Sequence, residues 1–274
     1  MKSIAFESVD LVYLDPPFYS DRQYEAAGVD SGEVRSFDDH WANIESYIAY
    51  MRQRVEVMHR LLKPTGSIYL HCDWHASHYL KLMMDAVFGV AQFQNEIIWC
   101  YEVGARSKKR WARKHDTILF YSKSTVFTFN WKAVRIPRNV STNMRVGIDS
   151  DGRQYQEKTD SKSRKVYRYY LDEGAVTPDF WVGIQQLNRD TLERIGYPTQ
   201  KPEALLERVL AASSNPDDVV LDPFCGSGTT LAVAQRLKRR WVGIDISKTA
   251  IELSRCRLQR QDWLQDTLPF GGAA

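Results

Sequence analysis

The stretch that decides the fold is Asp222-Pro223-Phe224-Cys225-Gly226-Ser227-Gly228-Thr229-Thr230. It follows the apolar run 219–221, which is typical of a buried strand, and precedes a helical pattern over 229–237. Two glycines let the backbone turn tightly and approach a ligand, and free N–H groups at the helix start favour negative groups. No Lys follows the last glycine, which argues against an NTPase phosphate loop. A purely structural strand-to-helix turn is the alternative.

A second acidic position supports the ligand-binding interpretation of this turn. The strand predicted over 241–244 ends at Asp245, and Ile246 follows it. A carboxylate about 20 residues after a glycine turn suits both ribose hydroxyls of a nucleoside cofactor. A helix N-cap is the other explanation for Asp245, although Ser247 is at least as well placed for that role. The two features together predict a nucleoside site.

A proline-rich turn near the N-terminus indicates the chemistry. The strand predicted over 9–14 ends at Asp15-Pro16-Pro17-Phe18. An sp² amine is a poor nucleophile, and hydrogen bonds to the Asp15 carboxylate and the Pro16 carbonyl would raise its electron density. The two prolines stiffen the loop, and Phe18 can stack on a base, an interaction worth about 1–3 kcal/mol. The alternative to this catalytic interpretation is that the two prolines simply end the strand.

Alternating strands and helices flank a polar segment, which predicts a doubly wound α/β fold with an insertion. Strands are expected over 67–72, 95–101 and 117–121, with helices over 39–62, 75–88, 203–213 and 248–260. The segment after 121 lacks helical periodicity and is expected to form mobile loops. The predicted organisation is a catalytic half at 1–124, an inserted target-recognition lobe at 125–195, a cofactor-binding half at 196–265 and a flexible tail at 266–274.

Charge is distributed unevenly along the chain. Residues 101–170 carry 17 Lys or Arg against 6 Asp or Glu, an excess of +11 in a chain whose net charge is only +3. One basic lobe on an acidic body suits a polyanion such as double-stranded DNA. A solvated charged face is the alternative. The predicted phosphate contacts are Arg106, Lys108, Lys109, Arg110, Arg113 and Lys114.

Two further segments are expected to serve a nucleic-acid substrate. Base recognition is predicted within 131–180, which is rich in Arg, Asn, Gln and Tyr. The long loop 19–38 is expected to close over a base flipped out of the duplex. Asp38, Asp39 and His40 are interpreted as helix-start residues rather than catalysts.

Other classes of protein are disfavoured by what the sequence lacks. The four cysteines show no C-x-x-C pairing and no metal-ligand spacing with histidine, so reduced thiols and no metal are expected. No apolar run approaches the roughly 20 residues of a membrane span, and no signal peptide is recognisable. A cytoplasmic protein without a membrane partner is expected.

The two turns together resemble those of the N4-cytosine/N6-adenine DNA amino-methyltransferases. The catalytic turn precedes the cofactor turn here, with the basic lobe between them, an order similar to the permuted β-class. Tyr197-Pro198-Thr199-Gln200-Lys201-Pro202 resembles that family's segment beneath the methionine part of its cofactor. The resemblance covers the chain outside 125–195.

The resemblance implies a Rossmann-like fold with a mostly parallel seven-stranded sheet, and S-adenosyl-L-methionine as cofactor. Asp15, Pro16, Pro17 and Phe18 map to the catalytic loop. The cofactor contacts that it implies are Thr199, Gln200, Lys201, Asp222, Pro223, Phe224, Cys225, Gly226, Ser227, Gly228, Thr229, Thr230, Asp245 and Ile246. Further partners that it suggests are a second copy of the chain and a cognate restriction endonuclease.

The expected reaction is methylation of adenine N6, because an Asp-led turn is commoner in the adenine enzymes. Cytosine N4, RNA and a protein glutamine amide are alternative targets. Relatives usually carry a strand and a Gly-Asp pair upstream of the segment matching 8–11. The sequence therefore predicts a sheet lacking one edge strand and a weakened cofactor site, or a truncated gene start. A DNA-binding protein without catalysis is the corresponding alternative function.

Overall fold

The computed structural model describes residues 4–20, 23–27, 34–102, 107–141, 143–188, 191 and 193–267, with backbone alone for 23–27, 34–38 and 261–267. The contacts divide the chain into two compact units, residues 1–129 with 179–274 and residues 130–178. The second unit is shorter at both ends than the lobe predicted over 125–195. Residues 125–129 and 179–195 belong to the first unit.

A seven-stranded sheet forms the centre of the first unit. In spatial order its strands are β10 (Phe180–Trp181), β5 (Phe93–Cys100), β6 (His115–Ser122), β4 (Leu62–Cys72), β1 (Val9–Leu14), β11 (Val219–Asp222) and β12 (Arg240–Gly243). Only β6 runs antiparallel to its neighbours in this sheet. The predicted mostly parallel, seven-stranded sheet is confirmed, with β12 at one edge and the short β10 at the other.

Helices cover both faces of this sheet. They are α1 (Ile44–Leu61), α2 (Ser77–Phe88), α3 (Glu203–Ser213), α4 (Thr229–Arg236) and α5 (Lys248–Thr267), and the 3₁₀ turn Val90–Gln92 follows α2. Alternate residues of a strand point to opposite faces, so Val12 and Leu14 pack with α1 and α2, and Leu11 packs with α3 and α4. The sheet is thus buried on both sides, which explains the near-continuous apolar sequence of β1.

The sheet places three acidic residues at one edge. β1 pairs in parallel with β11, and β11 pairs in parallel with β12. Asp15 follows β1, Asp222 ends β11 and Asp245 lies two residues beyond β12. Because parallel strands end at the same edge, the predicted catalytic turn and the predicted cofactor site meet there.

Two segments predicted as loops contain strands instead. Within 19–38, β2 (Gln23–Ala27) and β3 (Val34–Asp38) form an antiparallel hairpin. The second unit holds a three-stranded antiparallel sheet of β7 (Arg145–Ile148), β8 (Gln154–Thr159) and β9 (Val166–Tyr170). Most of the residues in these last three strands are exposed or half-buried, so they lack the apolar alternation that identifies a strand in sequence.

The helix boundaries correct two further predictions. α1 begins at Ile44, where Asn43 and Ser46 form a capping box, so Asp38, Asp39 and His40 are not its start. α5 continues to Thr267, past the predicted end at 260 and into the predicted tail 266–274. Residues 268–274 of that tail lie outside the described residues. Across the described ranges, no helix combines the length and apolarity needed to cross a membrane.

Candidate active site

A cavity of about 1450 Å³ opens at the edge where β1, β11 and β12 end. Most residues of the predicted catalytic and cofactor segments line this cavity. They are Asp15 to Phe18, Thr199 to Lys201, Asp222 to Ser227, Thr229, Thr230, Asp245 and Ile246. Small-molecule pockets usually enclose about 300–1,000 Å³. The cavity therefore has room for a nucleoside cofactor and a second group beside it.

Two neighbouring elements hold the Asp-Pro-Pro-Phe turn in place. The Tyr47 hydroxyl, on α1, donates a hydrogen bond to the Pro17 carbonyl at 2.8 Å. The fully buried Asp39 carboxylate accepts from the backbone N–H of Tyr19 at 3.1 Å and of Ser20 at 2.7 Å. The indole N–H of Trp41 is a further donor to Asp39, at 3.0 Å. Asp39 thus anchors the chain just after the turn.

Lys201 joins the catalytic turn to the segment before α3. Its Nζ lies 2.9 Å from Oδ1 and 2.7 Å from Oδ2 of Asp15. The same ammonium lies 4.9 Å from the centroid of the Phe18 ring, a cation–π distance. Both partners of the ion pair are largely shielded from solvent, with 13% and 16% of their side chains exposed. Two predicted site segments therefore share one salt bridge.

The glycine turn has the backbone geometry that its sequence predicts. Gly226 and Gly228 have φ values of +48° and +74°, the left-handed region that favours glycine. A Cβ on Gly228 would lie 2.7 Å from the Ser254 hydroxyl oxygen. That hydroxyl donates to the Gly226 carbonyl at 2.8 Å, so α5 packs directly against the turn. Both the φ angle and this close approach require glycine at 228.

Asp245 is held by the backbone of the loops around it. Its Oδ2 accepts from the N–H of Gly226 at 2.9 Å, and its Oδ1 accepts from the N–H of Ser247 at 2.8 Å. The Ser247 hydroxyl accepts from the N–H of Ala250 in the first turn of α5 at 3.3 Å. Ser247 thus serves the helix start, while Asp245 faces the cavity beside the glycine turn.

Asp222 is a buried acid at the base of the glycine turn. Only 2% of the residue is exposed, and burial raises its pKa to about 7. The neighbouring negative charges of Asp15 and Asp245 act in the same direction, while hydrogen bonds from Thr230 and from the N–H of Phe224 oppose them. Near neutral pH, the Asp222 carboxyl is therefore partly protonated.

A buried polar network lies behind the catalytic turn. His71, near the end of β4, has its Nδ1 2.8 Å from the Tyr13 hydroxyl and its Nε2 3.1 Å from Asp116 Oδ2. The Tyr101 hydroxyl donates to the other Asp116 oxygen at 3.2 Å. His71 Nδ1 is also 3.9 Å from Asp15 Oδ1. None of these residues was predicted as part of the site, although His71 is the last residue but one of the strand predicted over 67–72, and parallel sheets place functional groups at the ends of their strands.

The described part of the chain holds no group of three or more His, Cys, Asp and Glu arranged to bind a metal ion. The cysteines at 72, 100, 225 and 256 are free thiols. Burial raises the pKa of Cys225, which lines the cavity. This thiol therefore stays protonated and acts as a small apolar group in the glycine turn.

Comparison with known proteins decides the family. The DNA methylase family profile matches residues 9–255, nearly the whole chain. This chain belongs to the DNA methylase family. It is 30% identical over 262 residues to the type II methyltransferase M.HpaI of Haemophilus parainfluenzae, an alignment that covers 95% of this chain and 71% of that protein. Two further type II methyltransferases are matched over 62% of their own lengths.

Solved structures of DNA methylases share the fold. The PvuII DNA methyltransferase, a cytosine-N4-specific enzyme, aligns with a TM-score of 0.63 and 18% identity, over 99% of this chain and 84% of that one. The M1.HpyAVI complex with S-adenosylmethionine aligns with a TM-score of 0.57 and 20% identity, over 92% and 89%. The predicted Rossmann-like methyltransferase fold is confirmed, and this DNA methylase family is dependent on S-adenosylmethionine.

The cavity of this DNA methylase suits that cofactor. Ile246 is 99% exposed although it is apolar, so a purine ring lying over it would remove apolar surface from water. The adjacent Asp245 carboxylate is positioned to accept hydrogen bonds from ribose hydroxyls. Gly226 donates its backbone N–H to the same carboxylate, and a Cβ at this position would lie 3.1 Å from the Tyr197 ring. The residues present thus match the apolar base and the polar sugar of a nucleoside.

The basic cluster of this DNA methylase lies partly at the cavity mouth. Four of its members are exposed, namely Lys108, Lys109, Arg110 and Arg113. Two of these, Arg110 and Arg113, line the cavity. Lys114 is half-buried and donates to the Glu102 carbonyl. Arg106 lies outside the described residues.

Aromatic residues accompany these cations. The Arg113 guanidinium lies 3.3 Å from the centroid of the Trp74 ring, which also lines the cavity. Trp111 is 96% exposed beside Arg110. Cations next to exposed rings suit a partner that offers both phosphates and bases.

Proposed function

We propose that this chain is a site-specific DNA methyltransferase that moves a methyl group from S-adenosylmethionine to the exocyclic amine of a flipped base, adenine N6 being the favoured target. The observation that carries the proposal is the meeting of two sites in one cavity. Asp15 and Phe18 lie in the same space as the glycine turn and Asp245. A base amine held at Asp15 would therefore lie close to a methyl donor bound at the glycine turn.

The chain supplies position and hydrogen bonds, while the bound sulfonium cofactor supplies an electrophilic methyl group. The Asp15 carboxylate accepts a hydrogen bond from the base amine and increases its nucleophilicity. Phe18 offers a ring face against the base. Because Tyr47 and Asp39 fix the turn from two sides, little of it must be ordered when the base arrives.

The cofactor contacts are proposed from the geometry of the glycine turn. Asp245 would hold the ribose hydroxyls, and Ile246 would pack on the adenine ring. The segment Thr199 to Lys201 lines the same cavity and would contact the methionine part. A partly protonated Asp222 would adjust the charge near that part of the cofactor.

Double-stranded DNA is the proposed substrate because of the charge at the cavity mouth. Arg110 and Arg113 would contact phosphates, which position the duplex without reading sequence. The second unit, residues 130–178, is proposed to carry base recognition, since arginine and tyrosine side chains stack along its sheet, as in the Arg168–Tyr155 and Arg153–Tyr170 pairs. A cognate restriction endonuclease and a second copy of the chain remain proposed partners.

Cytosine N4 is the second candidate target. The observation that favours it is the structural similarity to the cytosine-N4-specific PvuII enzyme. Adenine is preferred here because the catalytic turn of this chain begins with Asp15, and Asp-led turns are commoner among the adenine enzymes. Both amines are attached to sp² carbons, so the same hydrogen-bonding chemistry at Asp15 serves either base.

The experiment combines labelled methyl transfer with nucleoside analysis. Purified protein is incubated with methyl-labelled S-adenosylmethionine and duplex DNA, and separately with RNA and with protein. Digested DNA is then analysed by mass spectrometry for N6-methyladenine and N4-methylcytosine. Label in DNA as N6-methyladenine is the expected result, while label confined to RNA or protein, or absent from all three, contradicts the proposal.

A pair of variants tests the role of Asp15. Asp15→Ala should abolish transfer and keep the dissociation constant for the cofactor, measured by calorimetry. Glu56→Ala, at an exposed position of α1, is the matched removal of a carboxylate and should keep the wild-type rate. Wild-type activity in Asp15→Ala would refute the assignment of Asp15. Failure of the wild-type protein to bind cofactor would favour a DNA-binding protein without catalysis.

A further inference from the structure

The buried histidine behind the catalytic turn has contacts that a purely packing role does not require. His71 is fully buried, and both of its ring nitrogens lie within hydrogen-bond distance of polar side chains. Asp116, its partner on β6, is only 6% exposed. Although burial opposes ionisation, the hydrogen bond from His71 holds the pKa of Asp116 below its usual value. The pair is therefore a carboxylate and an imidazole, both shielded from water.

The hydrogen bonds orient the imidazole. A carboxylate can only accept, so the proton of the neutral ring lies on Nε2, facing Asp116. Nδ1 then carries the lone pair and accepts from Tyr13. Burial raises the pKa of Tyr13 well above its ordinary value, so its hydroxyl stays protonated and donates. This arrangement leaves Nδ1 unprotonated, with the Tyr13 hydroxyl donating to it at rest, in the manner of a carboxylate-supported histidine base.

That nitrogen lies near the carboxylate that the proposed reaction uses. His71 Nδ1 is 3.9 Å from Asp15 Oδ1, about 1 Å beyond a hydrogen bond. Contacts between catalytic groups often shorten when substrate binds. The centroid of the Phe18 ring, which lines the cavity, lies 5.5 Å from that of the imidazole. A proton on Asp15 thus has a buried acceptor within reach.

Methyl transfer creates a proton that must leave the amine. The nitrogen lone pair forms the new bond to the methyl carbon, and the electron pair of the breaking C–S bond stays on sulfur, which becomes a thioether. The methylated nitrogen then carries one proton too many, with a positive charge. Asp15, which is hydrogen-bonded to that amine in the proposed mechanism, is the base that takes this proton.

We propose that His71, supported by Asp116, accepts this proton through Asp15 and so returns the Asp15 carboxylate to its ionised form as transfer proceeds. The proton moves from the amine nitrogen to Asp15 and then to His71 Nδ1, as the Tyr13 O–H that donates to this nitrogen at rest turns away from it. The transfer leaves an imidazolium beside the Asp116 carboxylate. The inference rests on the proposed function of Asp15. His71 is a positioning and relaying residue, because it acts through Asp15 and does not touch the base.

The charged and titratable groups around His71 determine how the rate depends on pH. Tyr13 and Asp15 face it from β1 and the turn, and Asp116 faces it from β6. Tyr101 contacts the far side of Asp116, and the positive charge of Lys201 also acts on that carboxylate. An imidazolium cannot accept a proton, so the transfer rate of the wild-type protein should fall toward acid pH.

The experiment measures single-turnover rates against pH with wild-type protein, His71→Gln and Asp116→Asn. For His71→Gln, the rate at pH 8 should fall by about 10- to 100-fold, toward the lower end of general-base effects. Its acid limb should disappear. For Asp116→Asn, the acid limb should move to lower pH, because the imidazolium loses the charge that stabilises it. Cofactor affinity, measured by calorimetry, should stay within about twofold for both.

Tyr69→Phe is the matched control. Tyr69 lies two residues before His71 on β4, is also buried, and hydrogen-bonds Ser213 at 2.7 Å. Removing its hydroxyl disturbs a buried polar contact on the same strand, and the pH profile should stay that of the wild type. If the profiles of His71→Gln and Asp116→Asn run parallel to the wild-type profile, the relay is refuted. If wild-type protein methylates nothing at any pH, the proposed function itself fails.

Discussion

Lys201 contacts both carboxylate oxygens of Asp15, at 2.9 and 2.7 Å, across 186 residues of sequence. The contact joins the catalytic turn after β1 to the segment before α3. Because that segment is a proposed cofactor contact, the position of Asp15 depends on the cofactor side of the cavity. Methyl transfer demands both groups in one geometry, so we expect the rate to depend on this ion pair.

Lys201→Met keeps the length of the side chain and removes its charge. Asp15 then loses the cation that orients it, and a displacement of about 1 Å at a reacting group can lower the rate about 100-fold. We expect kcat to fall by about 10- to 100-fold, with Lys201→Arg retaining more activity than Lys201→Met. Initial rates at saturating cofactor and DNA would measure the change.

The chain contains a matched ion pair for this test. Lys63 Nζ lies 2.7 and 2.9 Å from the two carboxylate oxygens of Asp10, which is near the start of β1 and far from the turn. Lys63→Met should lower the denaturant concentration at the unfolding midpoint and keep the rate of transfer. Equal losses of activity in Lys63→Met and Lys201→Met would show that both pairs only stabilise the fold.

Asp39→Asn tests the anchor that follows the catalytic turn. The new amide would place an NH₂ group against backbone donors that now bind the carboxylate, including the N–H of Ser20 at 2.7 Å. An unsatisfied buried donor costs about 1–3 kcal/mol, so the free energy of unfolding should fall by about that amount. The transfer rate should fall as well, because the turn loosens. Urea denaturation and initial rates would measure the two effects.

The control for Asp39→Asn is a variant that loses stability elsewhere. Asn43→Ala removes the side-chain cap of α1, whose oxygen accepts from the N–H of Ser46 at 2.8 Å. Loss of such a cap costs about 1 kcal/mol. Asn43→Ala should be destabilised and keep its rate. The anchoring role of Asp39 would be wrong if Asp39→Asn lost no more activity than Asn43→Ala.

Local motifs identified residues that line one cavity, but not the side-chain contacts that connect them. The glycine turn and Asp15 were identifiable because their chemistry depends on residues that adjoin in sequence. The contact between His71 and Asp116 depends on the antiparallel register of β4 and β6, which no local pattern specifies. Asp39 was misassigned because an aspartate just before a helical pattern is typical of an N-cap, whereas Asn43 takes that role.

The strands outside the main sheet escaped prediction for a different reason. β8 reads Gln-Tyr-Gln-Glu-Lys-Thr, and of its six residues only Gln156 is buried. A polar side chain at the buried position removes the apolar alternation on which strand prediction depends. By contrast, β1 is apolar over nearly its whole length because helices cover both faces of its sheet, and its position was predictable.

Asp222→Asn should change how stability depends on pH. Burial raises the pKa of folded Asp222 to about 7, above the value near 4 expected for an unfolded chain. Between these values the folded state holds a proton that the unfolded state releases, so this group's contribution to stability falls as pH rises from about 4 to 7.

Asp222→Asn removes this titration, so the variant should not lose the stability that the wild type loses at this position as pH rises. The free energy of unfolding of Asp222→Asn, minus that of the wild type, should therefore increase from pH 5 to pH 8. Urea denaturation at several pH values would show the trend. Asp217→Asn is the control, because Asp217 is exposed and its left-handed backbone, with φ of +68°, suits asparagine. A constant difference between Asp222→Asn and the wild type across this range would contradict the prediction.

Arg110→Gln should weaken DNA binding in a salt-dependent and sequence-independent way. Arg110 is exposed at the cavity, where a phosphate contact would release about 0.9 counterion per charge. The slope of log affinity against log salt should therefore become shallower by about 0.9, equally for duplexes of different sequence. Fluorescence anisotropy with labelled duplexes between 50 and 200 mM salt, about the range over which such contacts weaken, would measure this slope.

Lys238→Gln is the matched control for Arg110→Gln, because Lys238 is exposed before β12, at the opposite ends of the strands from the cavity. An unchanged slope in Arg110→Gln, or an equal change in Lys238→Gln, would place the DNA elsewhere on the protein.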